Sequence, residues 1–400
     1  MSLAMSNKKI QGALLRIERL RQNKGQKEIC FGICVPSYLS KIEHGTVCPD
    51  DVILTQLFEK LGIVYQCEEA ILIELQRKIE QYFYHKSYEF ETKSIYEDLV
   101  QQEQVLRYSE LAIDWLLIQG LEGKSVLDEL QELEDCMEQK QRAYYNILRF
   151  RSQPETKEAL TWCKEAAQIL NDCFSYMQVM WGYYLQGDYA AIHQLENRFT
   201  AIALEEGNTY YLADYYFMKG SAYACLNMEA MMMECYQKSI RFLQNTGWKE
   251  ELGAYYYNIG ATFISLQKYD EAIAYLEKAE VSGMTYHKLA LAYIRSGRVE
   301  QGREFLEKMK IEIEKTDANQ ETEMLRYQEA CMECERDFLD QPEYLELLEK
   351  LIASIKKNYP FGHLYFYKDV VVEAYKRQRK YKKALGFEEE ISCEVVKNHT

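Results

Sequence analysis

The chain has 400 residues, only 5 of them Pro and 19 Gly, and its formal net charge at pH 7 is −15. A chain of this length with so few helix breakers favours a nearly all-helical protein with several domains or a repeat array. It contains no apolar stretch long enough to span a bilayer, and its 12 scattered Cys indicate reduced thiols in a cytoplasmic protein.

The positive charge is concentrated at the N-terminus. Residues 1–45 contain eight Lys and Arg against three Glu, and residues 1–66 carry a net +3, which leaves −18 for residues 67–400. Chance clustering could produce this asymmetry. A small basic domain on an acidic body is, however, typical of a protein that binds nucleic acid through one end.

Four short helices are predicted in this basic N-terminal segment. The first covers residues 10–22, the second 26–32 and the fourth 50–61. The apolar residues of the first helix recur at helical spacing and are expected to face inward. These residues are Ile10, Leu14, Ile17 and Leu20.

The third helix carries the residues of greatest interest. Pro36 suits its first turn, and Gly45 suits the position that ends it. With Leu39 and Ile42 facing inward, the outer side presents Ser37, Tyr38, Lys41 and His44. Such a helix, as the second of a helix-turn-helix pair, enters the major groove of DNA by its N-terminal half. The alternative interpretation is an ordinary solvated face on a small helical cap.

The segment QKEICFGICVPSYLSKIEHGTVCP resembles the helix-turn-helix of the Xre class, most of all the version in Rgg/PlcR-type quorum-sensing regulators. The resemblance implies an Xre-type DNA-binding domain over residues 1–66. It also implies roles for individual residues, with Gln26 and Lys27 on the DNA backbone and His44 near a phosphate. It places Ser37, Tyr38 and Lys41 in the groove. Val35 and Pro36, at the start of the third helix, are further candidate DNA-binding residues. The turn ICV lacks the glycine common in the wider class.

Internal repeats dominate the rest of the chain. Residues 67–140 are expected to form a linker helix and a helical connector, and residues 141–400 an array of tetratricopeptide repeats. The copy at 253–280 fits best, because Gly260 and Ala272 are small where its paired helices must approach closely. Further copies are expected at 213–240, 283–309 and 365–391, with a degraded copy from about 174 and a helix pair at 141–170.

The predicted fold is therefore all-α, with a helix-turn-helix domain followed by a right-handed α-solenoid whose concave face suits an extended peptide. Asn258 holds the sixth position of its repeat, where an amide can both donate to and accept from a peptide backbone. Lys288 is at the matching position of the next repeat and could meet a peptide carboxylate. Other candidate peptide-binding residues are Asn146, Arg149, Tyr183, Tyr215 and Lys219. Solvation is the alternative for Asn258, and packing for the tyrosines.

The resemblance and the repeats together predict a cytoplasmic transcription regulator rather than an enzyme, with no metal or cofactor. Its expected partners are double-stranded DNA with a palindromic operator, a small signalling peptide, and a second copy in a homodimer; no membrane is expected. The alternative is a repeat scaffold or phosphatase-like sensor that sequesters a response regulator protein.

Overall fold

A computed structural model describes residues 3–66, 68–154, 156, 158–226, 228–244, 252–315, 320–359 and 361–396. Within these ranges the regular structure is α-helical apart from short 3-10 turns, which confirms the all-α prediction. None of the helices described is long and apolar enough to cross a membrane. The chain forms two compact units. Unit 1 comprises Met1–Tyr183 with Leu195–Asn208, and unit 2 comprises Tyr184–Gln194 with Thr209–Thr400.

The N-terminal segment of unit 1 contains the four predicted helices. They are α1 (Leu3–Arg21), α2 (Gln26–Ile29), α3 (Pro36–Glu43) and α4 (Asp51–Lys60). Pro36 opens α3, as expected. Gly45 has a φ of +63°, and its amide donates to the carbonyl of Ile42 at 2.9 Å, which closes the C-terminus of α3. The sequence therefore located both ends of this helix correctly.

The predicted inward face of α1 is correct only in its first half. Ile10 and Leu14 are buried, Ile17 is half-buried, and Leu20 is 54% exposed. At this end of α1 the buried positions belong instead to Glu18 and Arg19, which have partners on other helices. Helix α1 packs against neighbours on two sides, so one apolar stripe does not describe it.

A helical connector follows. Its helices are α5 (Glu69–Ser87), α6 (Lys93–Val100), α7 (Glu103–Arg107), α8 (Ala112–Leu121) and α9 (Leu127–Glu132). The N-terminal helices pack on this connector. The Tyr108 hydroxyl donates to the Glu18 carboxylate at 3.0 Å, and the backbone N–H of Gln66 donates to the Tyr108 carbonyl at 2.8 Å. The N-terminal segment and the connector thus share one compact unit.

Most of the remaining helices follow in packed pairs. Next in the chain are α10 (Gln139–Ser152), α11 (Ala159–Leu170), α12 (Cys173–Leu185), α13 (Tyr189–Gln194) and α14 (Glu196–Glu206). They are followed by α15 (Thr209–Cys225), α16 (Glu229–Gln244), α17 (Leu252–Ser265), α18 (Tyr269–Leu276), α19 (Gly283–Arg295) and α20 (Val299–Lys315). The last are α21 (Gln320–Glu333), α22 (Pro342–Asn358), α23 (Phe361–Phe366), α24 (Lys368–Arg377) and α25 (Tyr381–Val396).

The repeat predictions agree with these pairs. The copies at 213–240, 253–280 and 283–309 are the packed pairs α15–α16, α17–α18 and α19–α20, and the pair expected at 141–170 is α10–α11. The paired helices α17 and α18 of the copy at 253–280 approach closely, as expected. A Cβ on Gly260 would lie only 3.1 Å from the Ala272 carbonyl oxygen.

Two features of unit 2 differ from the predicted repeats. The pair α21–α22 was not predicted, and the last copy begins at Lys368 rather than at 365. The residues before it belong to the short helix α23, which packs against α22 and α24. The degraded copy predicted from about 174 is divided between the units, with α12 ending at the boundary and α13 in unit 2.

Candidate functional site

The outer face of α3 is the first candidate site. Leu39, Ile42 and Glu43 lie three and four residues apart and form the buried face of α3, so the residues between them point outward. Ser37, Lys41 and His44 are exposed at successive turns, and Tyr38 is half-buried beside them. Within the described part of the chain, Lys41 Nζ has no hydrogen-bond or ion-pair partner. This face therefore offers a hydroxyl, an ammonium and an imidazole to a ligand.

Buried contacts fix α3 against α1 and α2. Arg19 binds Glu43 with two hydrogen bonds, Nε to Oε1 at 2.6 Å and Nη2 to Oε2 at 3.0 Å, and both side chains are buried. Gln26 Nε2 donates to the same carboxylate at 2.7 Å. A Cβ on Gly12 would lie 2.1 Å from the Ile42 carbonyl oxygen, so only glycine permits this approach of the two helices. One carboxylate thus joins three helices in a fixed arrangement.

The other predicted DNA-facing residues occupy the rim of this face. Val35 is 61% exposed and precedes Pro36, which occupies the first turn of α3. Lys27 is exposed on α2. Gln26 is half-buried, with its amide nitrogen on Glu43, so its predicted DNA contact stays a prediction. The Arg19–Glu43 pair was not predicted from the sequence. Its only sign in the sequence is a charged residue at an inward-facing position of α1 and another at an inward-facing position of α3.

Several cations of α1 are directed at the connector rather than at α3. Arg16 lies 3.3 Å from Glu132, and Lys9 Nζ donates to the Asp135 carbonyl at 2.9 Å. Arg21 pairs with Glu18 at 2.8 Å. The basic excess of residues 1–45 is therefore partly neutralised within unit 1.

Three predicted peptide-binding residues lie in unit 1, and all three contact α11. Asn146 is buried, and its Nδ2 donates to Glu165 at 3.0 Å. The Arg149 guanidinium lies 4.1 Å from the ring centroid of Trp162, and the Tyr183 ring lies 5.0 Å from Lys164 Nζ. The contacting residues of α11, which sequence reasoning missed, are Trp162, Lys164 and Glu165.

The other four predicted peptide-binding residues lie in unit 2. Asn258 is exposed on α17, and its side-chain amide has no partner among the described residues. Tyr215 is fully buried on α15, in the packing role that was its alternative interpretation. Lys219 Nζ lies 6.0 Å from the Tyr215 ring and 5.9 Å from the Tyr223 ring. Of the four, Asn258 is the one that presents its side chain to solvent.

Lys288, the fourth of these residues, lies in a cluster of buried charges on α19 and α21. This polar cluster consists of His287, Lys288, Arg295, Arg326, Glu329 and Glu333, all of them buried except Arg295, which is half-buried. Arg295 binds Glu333 through Nε at 2.9 Å and Nη2 at 2.6 Å. Glu329 accepts from the Tyr344 hydroxyl at 2.9 Å. Because burial disfavours charge, the pKa of Glu329 is raised and the pKa of Lys288 is lowered.

Tyr359 and residues 361–367, here together named the capping segment, contact the polar cluster. The Phe366 ring centroid lies 2.9 Å from Lys288 Nζ, and the Tyr359 ring lies 4.4 Å from the Arg326 guanidinium. Nδ1 of His363 is 3.2 Å from Nη2 of Arg326. In the described chain no carboxylate lies within ion-pair distance of Lys288, whose close neighbour is this aromatic ring.

Sequence and structure comparisons agree with the repeat geometry. The tetratricopeptide repeat family matches residues 213–242 and 253–280, which cover most of α15–α16 and α17–α18. None of the curated protein sequences matches this chain significantly.

Two solved structures resemble the chain over most of its length. One is a Rap protein complexed with Competence and Sporulation Factor, with 12% identity, a TM-score of 0.61, and coverage of 82% of this chain and 99% of that one. The other is the apo form of the quorum sensor NprR from B. thuringiensis, with 15% identity, a TM-score of 0.58, and coverage of 81% and 99%. The chain shares the fold of these proteins.

A third structure, Bacillus thuringiensis PlcR in complex with the peptide PapR7 and DNA, is 16% identical and covers 62% of this chain and 99% of that one. Its TM-score of 0.37 is too low to indicate a common fold.

Proposed function

We propose that the chain is a cytoplasmic transcription regulator, not an enzyme, that binds an operator through α3 and a small signalling peptide through its repeats. The observation that carries the DNA part is the exposed Ser37–Lys41–His44 face on a helix fixed by the buried Arg19–Glu43 pair. A recognition helix reads base edges with short polar donors, while lysine reaches a base or a phosphate. A fixed helix presents these groups without ordering cost on binding.

The peptide part is supported by the repeats. Asn258 presents an exposed amide within a range that matches the tetratricopeptide repeat family. A primary amide can hold an extended backbone through one donated and one accepted hydrogen bond. The resembling Rap structure is a complex with Competence and Sporulation Factor, and NprR is described as a quorum sensor. Proteins of this fold thus include a receptor for a signalling factor.

The regulator is proposed to act as a homodimer on a palindromic operator. Two copies related by a two-fold axis present two α3 helices to half-sites spaced by about 34 Å, one turn of DNA. A peptide controls such a protein only if it binds one arrangement of the dimer more tightly than another.

Fluorescence anisotropy with labelled DNA from upstream of the gene, across a salt series, tests the proposal. Saturable binding that exceeds binding to random DNA and weakens steeply with salt is expected. The double variant Tyr38→Ala/Lys41→Ala should weaken specific binding by about tenfold or more. The matched control is Tyr84→Ala/Lys93→Ala, which removes the same groups from exposed positions on α5 and α6. Wild-type affinity in the α3 variant would exclude α3 as the DNA-binding element.

A second candidate function is a scaffold or phosphatase-like sensor that sequesters a response regulator protein through the repeats. The observation in its favour is the engagement of Lys9, Arg16 and Arg21 within unit 1, which reduces the charge available for DNA. This function predicts unchanged activity in cells for Tyr38→Ala/Lys41→Ala. It also predicts that a response regulator co-purifies with the full chain, which a pull-down would detect.

A further inference from the structure

The polar cluster lacks several of the partners that buried charges require. Among the described residues, Nε of Arg326, Nδ1 of His287 and Oε2 of Glu329 are buried without a hydrogen-bond partner. Buried polar groups in folded proteins are satisfied almost without exception, and unsatisfied ones often mark functional sites. Arg295 and Glu333 satisfy each other, and Nη1 of Arg326 donates to Glu323 at 3.0 Å, so the deficit lies at Lys288 and at Nε of Arg326.

Aromatic side chains of the capping segment contact these cations in the way that a bound ligand would. Phe366 covers the Lys288 ammonium with its ring face and lies 5.9 Å from the Arg295 guanidinium. Tyr359 stacks on Arg326, and its hydroxyl donates to Glu323 at 2.6 Å. The Tyr367 hydroxyl lies 3.4 Å from Nε2 of His287. At Lys288 a cation–π contact thus replaces the charge-assisted hydrogen bond that a carboxylate would make, whereas Arg326 has both its ring contact and an ion pair with Glu323 at 3.0 Å.

The segment also contacts three apolar clusters through one residue, Phe366. Phe366 packs against the cluster around Ile259 and Tyr293, against that around Leu291, and against the C-terminal cluster of α22, α24 and α25. One aromatic side chain therefore closes the polar cluster and also fills an apolar slot beside it. A ligand that displaced it would need an aromatic group for the slot and an anion for the cations.

We propose that the polar cluster is a binding site for a peptide that ends in an aromatic residue and a free carboxylate, and that the capping segment is an internal competitor for it. The carboxylate would pair with Lys288 and Arg326, and the aromatic ring would take the slot of Phe366. This inference rests on the proposed function in one respect, namely that the ligand of the repeats is a peptide. Peptide and capping segment exclude each other, so occupancy by the segment lowers the apparent affinity for peptide.

The test uses full-length protein and a fluorescein-labelled synthetic peptide with the sequence of residues 359–366, YPFGHLYF, ending in a free carboxylate. We expect weak binding to the wild type and binding tighter by about tenfold or more to Phe366→Ala, in which the competitor is impaired. The matched control is Phe338→Ala, which removes the same side chain from the C-terminal cluster away from Lys288. It should leave the affinity at the wild-type value.

Two further arms test the chemistry of the site. The same peptide with a C-terminal amide should bind Phe366→Ala about tenfold more weakly, because the amide cannot form the charge-assisted hydrogen bonds. Adding Lys288→Met to Phe366→Ala should have a similar effect. Equal affinities of Phe366→Ala and wild type, or of acid and amide, would overturn the proposal.

Hydrogen exchange is measured on the wild type, so misfolding of a variant cannot affect the result. Saturating peptide should speed exchange of the α23 amides and slow that of α19 and α21. Slower exchange in all three helices would overturn competition. The DNA assay run in parallel separates the two proposals. Specific DNA binding with no peptide effect on α23 removes only the present inference, whereas displacement of α23 without DNA binding removes only the DNA function.

Discussion

Asp114 shows how a single half-buried carboxylate makes stability depend on pH. Its Oδ2 accepts from Gln141 Nε2 at 2.9 Å, but burial outweighs this hydrogen bond and raises the pKa to about 6. Neighbouring Glu138 and Glu80 raise it further, whereas Lys140 lowers it. The folded-state pKa exceeds that of the unfolded chain, so the carboxylate opposes folding above pH 6. This cost disappears as the pH falls from about 6 toward 4.

We therefore predict that Asp114→Asn stabilises unit 1 at pH 8 by about 1–2 kcal/mol, since the amide keeps an acceptor for Gln141 and carries no charge. Near pH 4 the variant and wild type should unfold alike. Calorimetric unfolding at both pH values measures the difference. Asp369→Asn, at an exposed position on α24, is the control and should show no such gain. A gain of equal size at both pH values would contradict the assignment to Asp114 ionisation.

Lys288 is a buried cation, and burial shifts its pKa in the opposite direction from that of Asp114. Burial lowers its pKa, and the nearby Arg326 and Arg295 lower it further. A base whose pKa falls on folding destabilises the protein at neutral pH, and the cost vanishes as the pH rises toward the unfolded value near 10.5. A buried cation whose pKa is strongly lowered is a candidate for a functional site.

Lys288→Met should therefore raise the free energy of unfolding at pH 7 by about 1–3 kcal/mol, because an apolar chain of similar length replaces an unpaired buried charge. The gain should shrink toward pH 10. Urea unfolding of unit 2, followed by its tyrosine fluorescence, measures it. Destabilisation by the same substitution would show that Lys288 contributes to the fold rather than to a ligand site. Exposed Lys278→Met is the matched control.

At the scale of the helix pair, the geometry of the repeat depends on one small residue. A Cβ on Gly260 would lie 2.5 Å from Cγ of Leu276 and 3.1 Å from the Ala272 carbonyl oxygen, so α17 and α18 must separate to admit it. A Cβ on Gly386, within α25, would meet nothing within 4 Å. Both glycines lie within helices, so their helix propensities change equally on substitution.

Gly260→Ala should destabilise the protein by about 1–3 kcal/mol through overpacking. Gly386→Ala should stabilise it by up to about 1 kcal/mol, because alanine favours the helix and restricts the unfolded chain. Thermal unfolding of both variants tests the prediction. Stabilisation by both would mean that the helices of the repeat move apart without cost.

Features that depend on residues close together in the chain were predictable from the sequence, whereas contacts between distant residues were not. Pro36 and Gly45 act within one helix, so the ends of α3 were predictable, and the small residues of the repeat recur at a fixed period. The Arg19–Glu43 pair joins residues far apart in sequence and was missed. The pair α21–α22 was missed as well, because charged residues such as Arg326 and Glu329 occupy its buried face where apolar residues were expected. The peptide-site residues remain predictions: Asn258 is exposed, Arg149 and Tyr183 are half-buried, and the other four are buried.

For the whole molecule, the proposed function requires that peptide binding and DNA binding be separable. Asn258 lies on α17 in unit 2 and the α3 face lies in unit 1. Removing the Asn258 amide should therefore weaken peptide binding and leave the α3 face intact. The two ligands are linked only through the equilibrium between conformations of the protein.

Asn258→Ala should accordingly keep basal DNA affinity and salt dependence while its response to peptide shifts to concentrations higher by about tenfold. The measurement is anisotropy on operator DNA with a peptide fraction that alters wild-type binding, followed by calorimetry with the purified peptide. Ser265→Ala, another exposed polar position on α17, is the control and should behave as wild type. Equal peptide affinity in Asn258→Ala and wild type would remove Asn258 from the site. Loss of basal DNA binding would show instead that α17 supports the dimer, because a dimer that cannot form presents only one α3 helix to the operator.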